Sequence, residues 1–169
     1  GAMQLAAHRV GGLLGEGGMG KVYRARDTKL ERDVALKVLH GEVAADPARW
    51  ERVRREAKIV AGLNHPRIVM LFSVEEDAGV HFLTMELVEG QGLEEMITAE
   101  GLPLPKVFEI GIAVAGALAA AHEVGVDARG GGGDGGAALL LGGRGVEFGL
   151  VQQVAEFLDE VVVGGRVVG

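Results

Sequence analysis

The stretch LLGEGGMGKVY constrains the fold of this chain more than any other. Gly15, Gly17 and Gly20 fit the pattern G-x-G-x-x-G, and Val22 extends it to G-x-G-x-x-G-x-V. A backbone without Cβ atoms can approach phosphate oxygens closely and turn its N–H groups toward them. Alone, the pattern also suits a glycine-rich hairpin turn, so its flanks decide. A dinucleotide-binding fold needs a helix directly after the last glycine; here KVYRARD continues with the alternation of a strand, which removes that fold.

Residues 8–40 alternate apolar and polar positions in HRVGGLLG, GKVYRARD and RDVALKVLH, with the turn-like DTKLERD between the last two. Three antiparallel strands are the simplest arrangement. Asp46 then sits where a helix N-cap belongs, Pro47 suits the first helical position and Gly62 stands where a C-terminal cap would, which predicts a helix over 47–61. Within it Trp50, Val53, Ala57 and Val60 fall on one stripe, and Glu56, beside that stripe, is expected to point into the protein. RIVMLFSVEE and GVHFLTMELVE read as two more strands joined by Asp77-Ala78-Gly79. A short helix is expected from about Leu93, and a longer one, apolar nearly all round and therefore in need of cover, over 105–124. Glycine then takes over. A last helix is expected from about Glu147 to Val162, with Leu150, Val154, Phe157 and Val161 along one side.

Composition narrows the function classes. A 169-residue chain suits one domain with a core, or one domain plus a tail. Aromatic residues make up 4% and the net charge is -7, which argues against nucleic-acid binding by stacking or by backbone neutralisation. Arg49, Arg52, Arg54, Arg55 and Lys58 form the one dense basic cluster and read as a solvated helix face. The absence of cysteine removes disulfides, thiolate nucleophiles and cysteine zinc sites, and fits a cytoplasmic location. The apolar run over 110–121 falls short of the roughly 20 residues a membrane span needs, so no membrane association is expected. Residues 1–3 resemble an expression-tag remnant.

VALK, Val34 to Lys37 on the third strand, together with the glycine pattern and the inward Glu56, resembles the N-terminal lobe of a protein kinase, specifically the bacterial Ser/Thr kinases of eukaryotic type. LNHPRIV and TMELVEG extend the likeness, which runs over about 5–125. It implies an α+β fold in which a five-stranded antiparallel sheet and one helix are followed by helices and a glycine-rich tail. The organisation implied is an N-lobe over 4–90, the start of a helical lobe over 91–125 and a non-kinase tail over 126–169. It also implies ATP with Mg²⁺ as ligand. Gly15, Gly17 and Gly20 would cover the phosphates, Val22 and Ala35 would sandwich adenine, and Lys37, paired with Glu56, would hold the α- and β-phosphates. Met85 would guard the back of the pocket, while the Glu86 carbonyl and the Val88 amide would bond the adenine edge. His65 reads as structural.

The likeness then breaks. Where the family carries His-Arg-Asp followed by Lys and Asn, this chain reads VDARGGGGDGG, and Asn64 is its one asparagine. The resemblance therefore implies a truncated ATP-binding protein with compromised or absent phosphotransferase activity. VEFGL resembles the family's Asp-Phe-Gly metal motif with Glu147 in place of Asp, so Glu147 is a candidate Mg²⁺ ligand. An alternative is a small metal-dependent phosphoester or phosphotriester hydrolase, in which His122 and Asp127, near Glu123 and Asp134, bind another divalent metal or activate water. A further alternative is a non-catalytic module that forms a homodimer through helix 105–124 and the tail helix.

Overall fold

In the computed structural model, residues 3–17, 20–90 and 96–124 are described. The elements are β1 (Gln4–Leu5), β2 (His8–Gly17), β3 (Gly20–Asp27), β4 (Arg32–Leu39), α1 (Gly41–Ala45), α2 (Pro47–Ala61), β5 (Leu71–Asp77), β6 (Val80–Glu86) and α3 (Leu104–Glu123). The strands form one antiparallel sheet in the order β1-β2-β3-β4-β6-β5. The chain divides into two compact units. The first holds Gly1–Asn64 and Val69–Val88, and the second His65–Ile68 and the chain from Glu89 onward.

The sheet has six strands where the sequence predicts five. The extra strand is two residues long, too short to carry a period, and arises because Ala6 takes a left-handed φ of 48° and folds Leu5 back onto His8. The β5–β6 hairpin closes through Ala78 and Gly79, both at positive φ, as the two central residues of a type I′ turn must be. Asp27 shapes the β3–β4 turn, its Oδ1 accepting from the backbone N–H groups of Lys29 and Leu30 at 2.9 and 3.1 Å.

β4 is central, and Val34 to Lys37 are buried in succession rather than alternately, because β4 is covered on both faces. One face packs Val34 and Leu36 with Leu5, Val10, Ala25 and Phe82 into a core cluster. Completely burying a Leu or Phe side chain contributes about 1.5–3 kcal/mol each. Lys37 projects to the other face.

α2 begins where the sequence predicts. Asp46 Oδ1 accepts from the Ala48 N–H at 2.9 Å, Pro47 opens the helix, and Val53, Ala57 and Val60 are its buried residues. Gly62 ends it at a right-handed φ of -82°, so its place there does not depend on the left-handed freedom of glycine. The Trp50 ring meets His81 edge-on at 4.3 Å between centroids and ties the first turns of α2 to β6. Since His81, Leu83 and Met85 alternate to one face of β6, α2 lies on that face.

In the second unit, α3 buries Ile110, Ala117 and Ala121, while Leu104, Phe108 and Ile112 are 66%, 61% and 72% exposed. The expected all-round cover is therefore not what the described residues provide. At 20 residues the helix is also longer than the apolar run read from the sequence. It is long and apolar enough to cross a membrane by length and composition alone, a test that core helices of soluble proteins pass too. The short helix expected from Leu93 falls mostly on 91–95, and the tail helix over 147–162 entirely, outside the described residues.

A candidate nucleotide site on one face of the sheet

Strand register assembles the site. Gly15 stands opposite Val22, Val22 opposite Lys37, and Lys37 opposite Leu83, in one row across β2, β3, β4 and β6. Two residues along β4, Ala35 stands opposite Met85. Directly opposed residues of antiparallel strands project to the same face, as do residues two apart on one strand. Val22, Ala35, Lys37 and Met85 therefore share a face, all of them buried. Distant in sequence, these four residues are brought together by pairing alone.

The glycines divide by physical role. A Cβ at Gly15 would meet nothing within 4 Å, whereas one at Gly20 would collide with the Val38 carbonyl. Gly20 is required by the close approach of β3 to β4, and Gly15 leaves open space above the row. Gly17 pairs with Gly20 at the end of the β2–β3 hairpin, next to 18–19, which lie outside the described residues. Glu86 ends β6; its backbone N–H donates to the Met70 carbonyl at 2.9 Å, and its carboxylate accepts from the Met70 N–H at 3.4 Å. Val88 lies beyond the strand and outside the sheet ladder.

Lys37 is 1% exposed, the most buried charged side chain described. Burial pulls its pKa down from 10.5 to about 8, because a low-dielectric surrounding disfavours the ammonium form. Its neighbours across the sheet, Val22 and Leu83, carry no charge. The expected ion pair with Glu56 is not formed. Glu56 Oε1 instead accepts from Arg52 Nε at 3.0 Å, one turn back along α2. This corrects the sequence reading, which placed Glu56 on the inner side of α2 and overlooked the competing cation four residues earlier. The i, i+4 spacing was a readable signal for that pair.

His65 behaves as a structural residue: its Nδ1 accepts from the Arg67 N–H at 3.1 Å within the turn before β5. His122 and Glu123 close α3, and Asp127 and Glu147 lie outside the described residues. Among the described residues no group of three His, Asp or Glu side chains could hold a metal ion. What the described residues place on this face is one buried cation, Lys37.

This glycine hairpin, buried lysine and carboxylate-bearing helix, set on a curled antiparallel sheet, define a protein kinase N-terminal lobe. The chain belongs to the protein kinase domain family, whose model matches residues 8–128. It is 40% identical over 124 residues to the serine/threonine-protein kinase PknB of Mycobacterium tuberculosis, a match covering 70% of this chain and 20% of that protein. A probable serine/threonine-protein kinase of Streptomyces coelicolor is 39% identical over 124 residues, covering 70% of this chain and 18% of that one. The crystal structure of the M. tuberculosis PknI kinase domain superposes with a TM-score of 0.63 at 32% identity, covering 73% of this chain and 51% of that one. The chain thus contains part of a bacterial Ser/Thr kinase domain and spans about a fifth of the length of these curated relatives.

Proposed function

We propose that this protein binds ATP, as its Mg²⁺ complex, on the sheet face carrying Val22, Ala35, Lys37 and Met85, with phosphotransferase activity compromised or absent. The observation that carries the reading is Lys37, a cation held at 1% exposure with no ionic partner among the described residues. A buried unpaired ammonium is costly, and an arriving anion relieves that cost. Lys37 would hold the α- and β-phosphates, the glycine hairpin would close over them, and Val22, Ala35 and Met85 offer an apolar surface for adenine. Weak catalysis follows from the sequence after α3, where VDARGGGG stands in place of a catalytic loop with a positioned base and a metal-binding asparagine. Mg²⁺ enters bound to the nucleotide phosphates, and Glu147 is the one residue proposed to touch it. Calorimetric titration with MgATP tests the reading: saturable binding should weaken at least tenfold in Lys37→Met. Equal binding by both proteins, or none by either, would refute it.

A second reading concerns assembly. Leu104, Phe108 and Ile112 recur at four-residue spacing on α3 and are all exposed, which favours a homodimer formed through helix 105–124.

A further inference from the structure

We propose that two copies of this chain pair antiparallel along the outer face of α3, about a two-fold axis near Gly111 and Ile112. The proposal rests on the dimer reading above and names the geometry by which a second copy fits. At about 100° per residue, Leu104, Phe108, Ile112, Ala115 and Ala119 fall on one stripe within about 80° of arc, opposite the buried Ile110, Ala117 and Ala121. Size is divided along that stripe. Leu104, Phe108 and Ile112, all exposed, occupy its first half, and Ala115 and Ala119, exposed as well, occupy its second.

Two glycines support a close neighbour on this face. Gly111 and Gly116 border the stripe on either side, inside a helix that glycine weakens relative to alanine. A Cβ at either would meet nothing within 4 Å, so among the described residues no contact of the helix with its own unit requires them. The approach of a second backbone does. The stripe also carries no charge: the Lys106–Glu109 pair, at 3.1 Å, lies to one side. Two copies of a chain with a net charge of -7 therefore meet here without like charges opposed.

The uneven sizes choose the direction. An axis between residues 111 and 112 sets Leu104 of one copy against Ala119 of the other, and Phe108 against Ala115. Each bulky side chain then meets a small one, and the helix axes keep one spacing along their length, since that spacing follows the side chains at the contact. A parallel pair sets large against large and small against small, which splays the axes. Antiparallel helix dipoles also attract one another. The face thus complements itself, as an isologous two-fold contact must. With roughly 200 Å² for a large side chain, Leu104, Phe108 and Ile112 leave on the order of 400 Å² exposed per copy, and with Val107, Ala115 and Ala119 the pair buries roughly the 1,000 Å² that a specific interface needs.

The full chain has no cysteine, so single introduced thiols and a short thiol cross-linker report the geometry. Light scattering at micromolar concentration should first show a dimer. Positions 104 and 119 lie about 22 Å apart along one helix. Antiparallel pairing joins Leu104→Cys to Ala119→Cys in an equimolar mixture and joins neither variant to itself, while Ile112→Cys, beside the axis, cross-links alone. A size exchange is the second arm: Ala115→Phe should weaken the dimer by about tenfold, and adding Phe108→Ala should bring affinity back to within about threefold of wild type. Cross-linking of Leu104→Cys or Ala119→Cys to itself, or no rescue by Phe108→Ala, overturns the antiparallel geometry and leaves the dimer standing. A monomeric wild type refutes the dimer, and the geometry with it.

Discussion

Replacing Lys37 by methionine keeps an unbranched side chain in the same slot and removes the buried charge, so the cost of holding an ammonium on this face becomes measurable. The fall of its pKa from 10.5 to about 8 corresponds to about 3 kcal/mol of lost folding stability, at about 1.4 kcal/mol per tenfold. The sign follows from proton counting. Below pH 8 the amine is charged in the folded and unfolded chain alike, and the full penalty stands. Between about pH 8 and 10.5 the unfolded chain keeps a proton that the folded chain has released, so wild-type stability rises with pH until the penalty is gone. Lys37→Met should therefore be more stable than wild type by about 3 kcal/mol at pH 7, with the gap falling to less than half by pH 9.5. Urea unfolding followed by the fluorescence of Trp50, the one tryptophan, packed on the sheet at His81, reads this directly. A variant no more stable than wild type at pH 7, or a gap that does not change with pH, would show that the ammonium is solvated or paired in the folded state and would refute the reasoning.

Two further outcomes test other parts of the structure. Gly20→Ala forces a methyl group into the Val38 carbonyl and should destabilise the chain by about 2 kcal/mol or more, while Gly15→Ala, facing open space, should stay within about 1 kcal/mol; comparison of urea midpoints checks both. If α3 pairs across a dimer, Phe108→Glu should convert a dimer at micromolar concentration into a monomer by light scattering, and a wild type that is already monomeric removes that reading.

Much of the sheet was legible because its information is local. Period-two alternation marked β2 through β4, strand-like runs joined by Asp77-Ala78-Gly79 marked β5 and β6, and Asp46-Pro47 marked the start of α2 to the residue, since a cap is a hydrogen-bonding requirement met by neighbours in sequence. β1 was not legible, as two residues show no period, and its existence turns on the left-handed Ala6. The site residues were reached through motif spacing and the family likeness it carried, and pairing has placed Val22, Ala35, Lys37 and Met85 on one face. The ionic state of the site was not reached. A carboxylate on the inner side of a helix was read with the partner the family supplies, whereas rotamer and packing gave it to Arg52.

The sequence by itself determined the strands of the sheet, the glycine pattern and the start of α2, because alternation, glycine spacing and capping are properties of neighbouring residues. Only the tertiary structure decided that Gly20 serves the contact between β3 and β4, and that Lys37 is buried without a counter-charge among the described residues. Both depend on atoms far apart in the chain, whose distances arise from strand register and helix packing and are encoded in no single stretch.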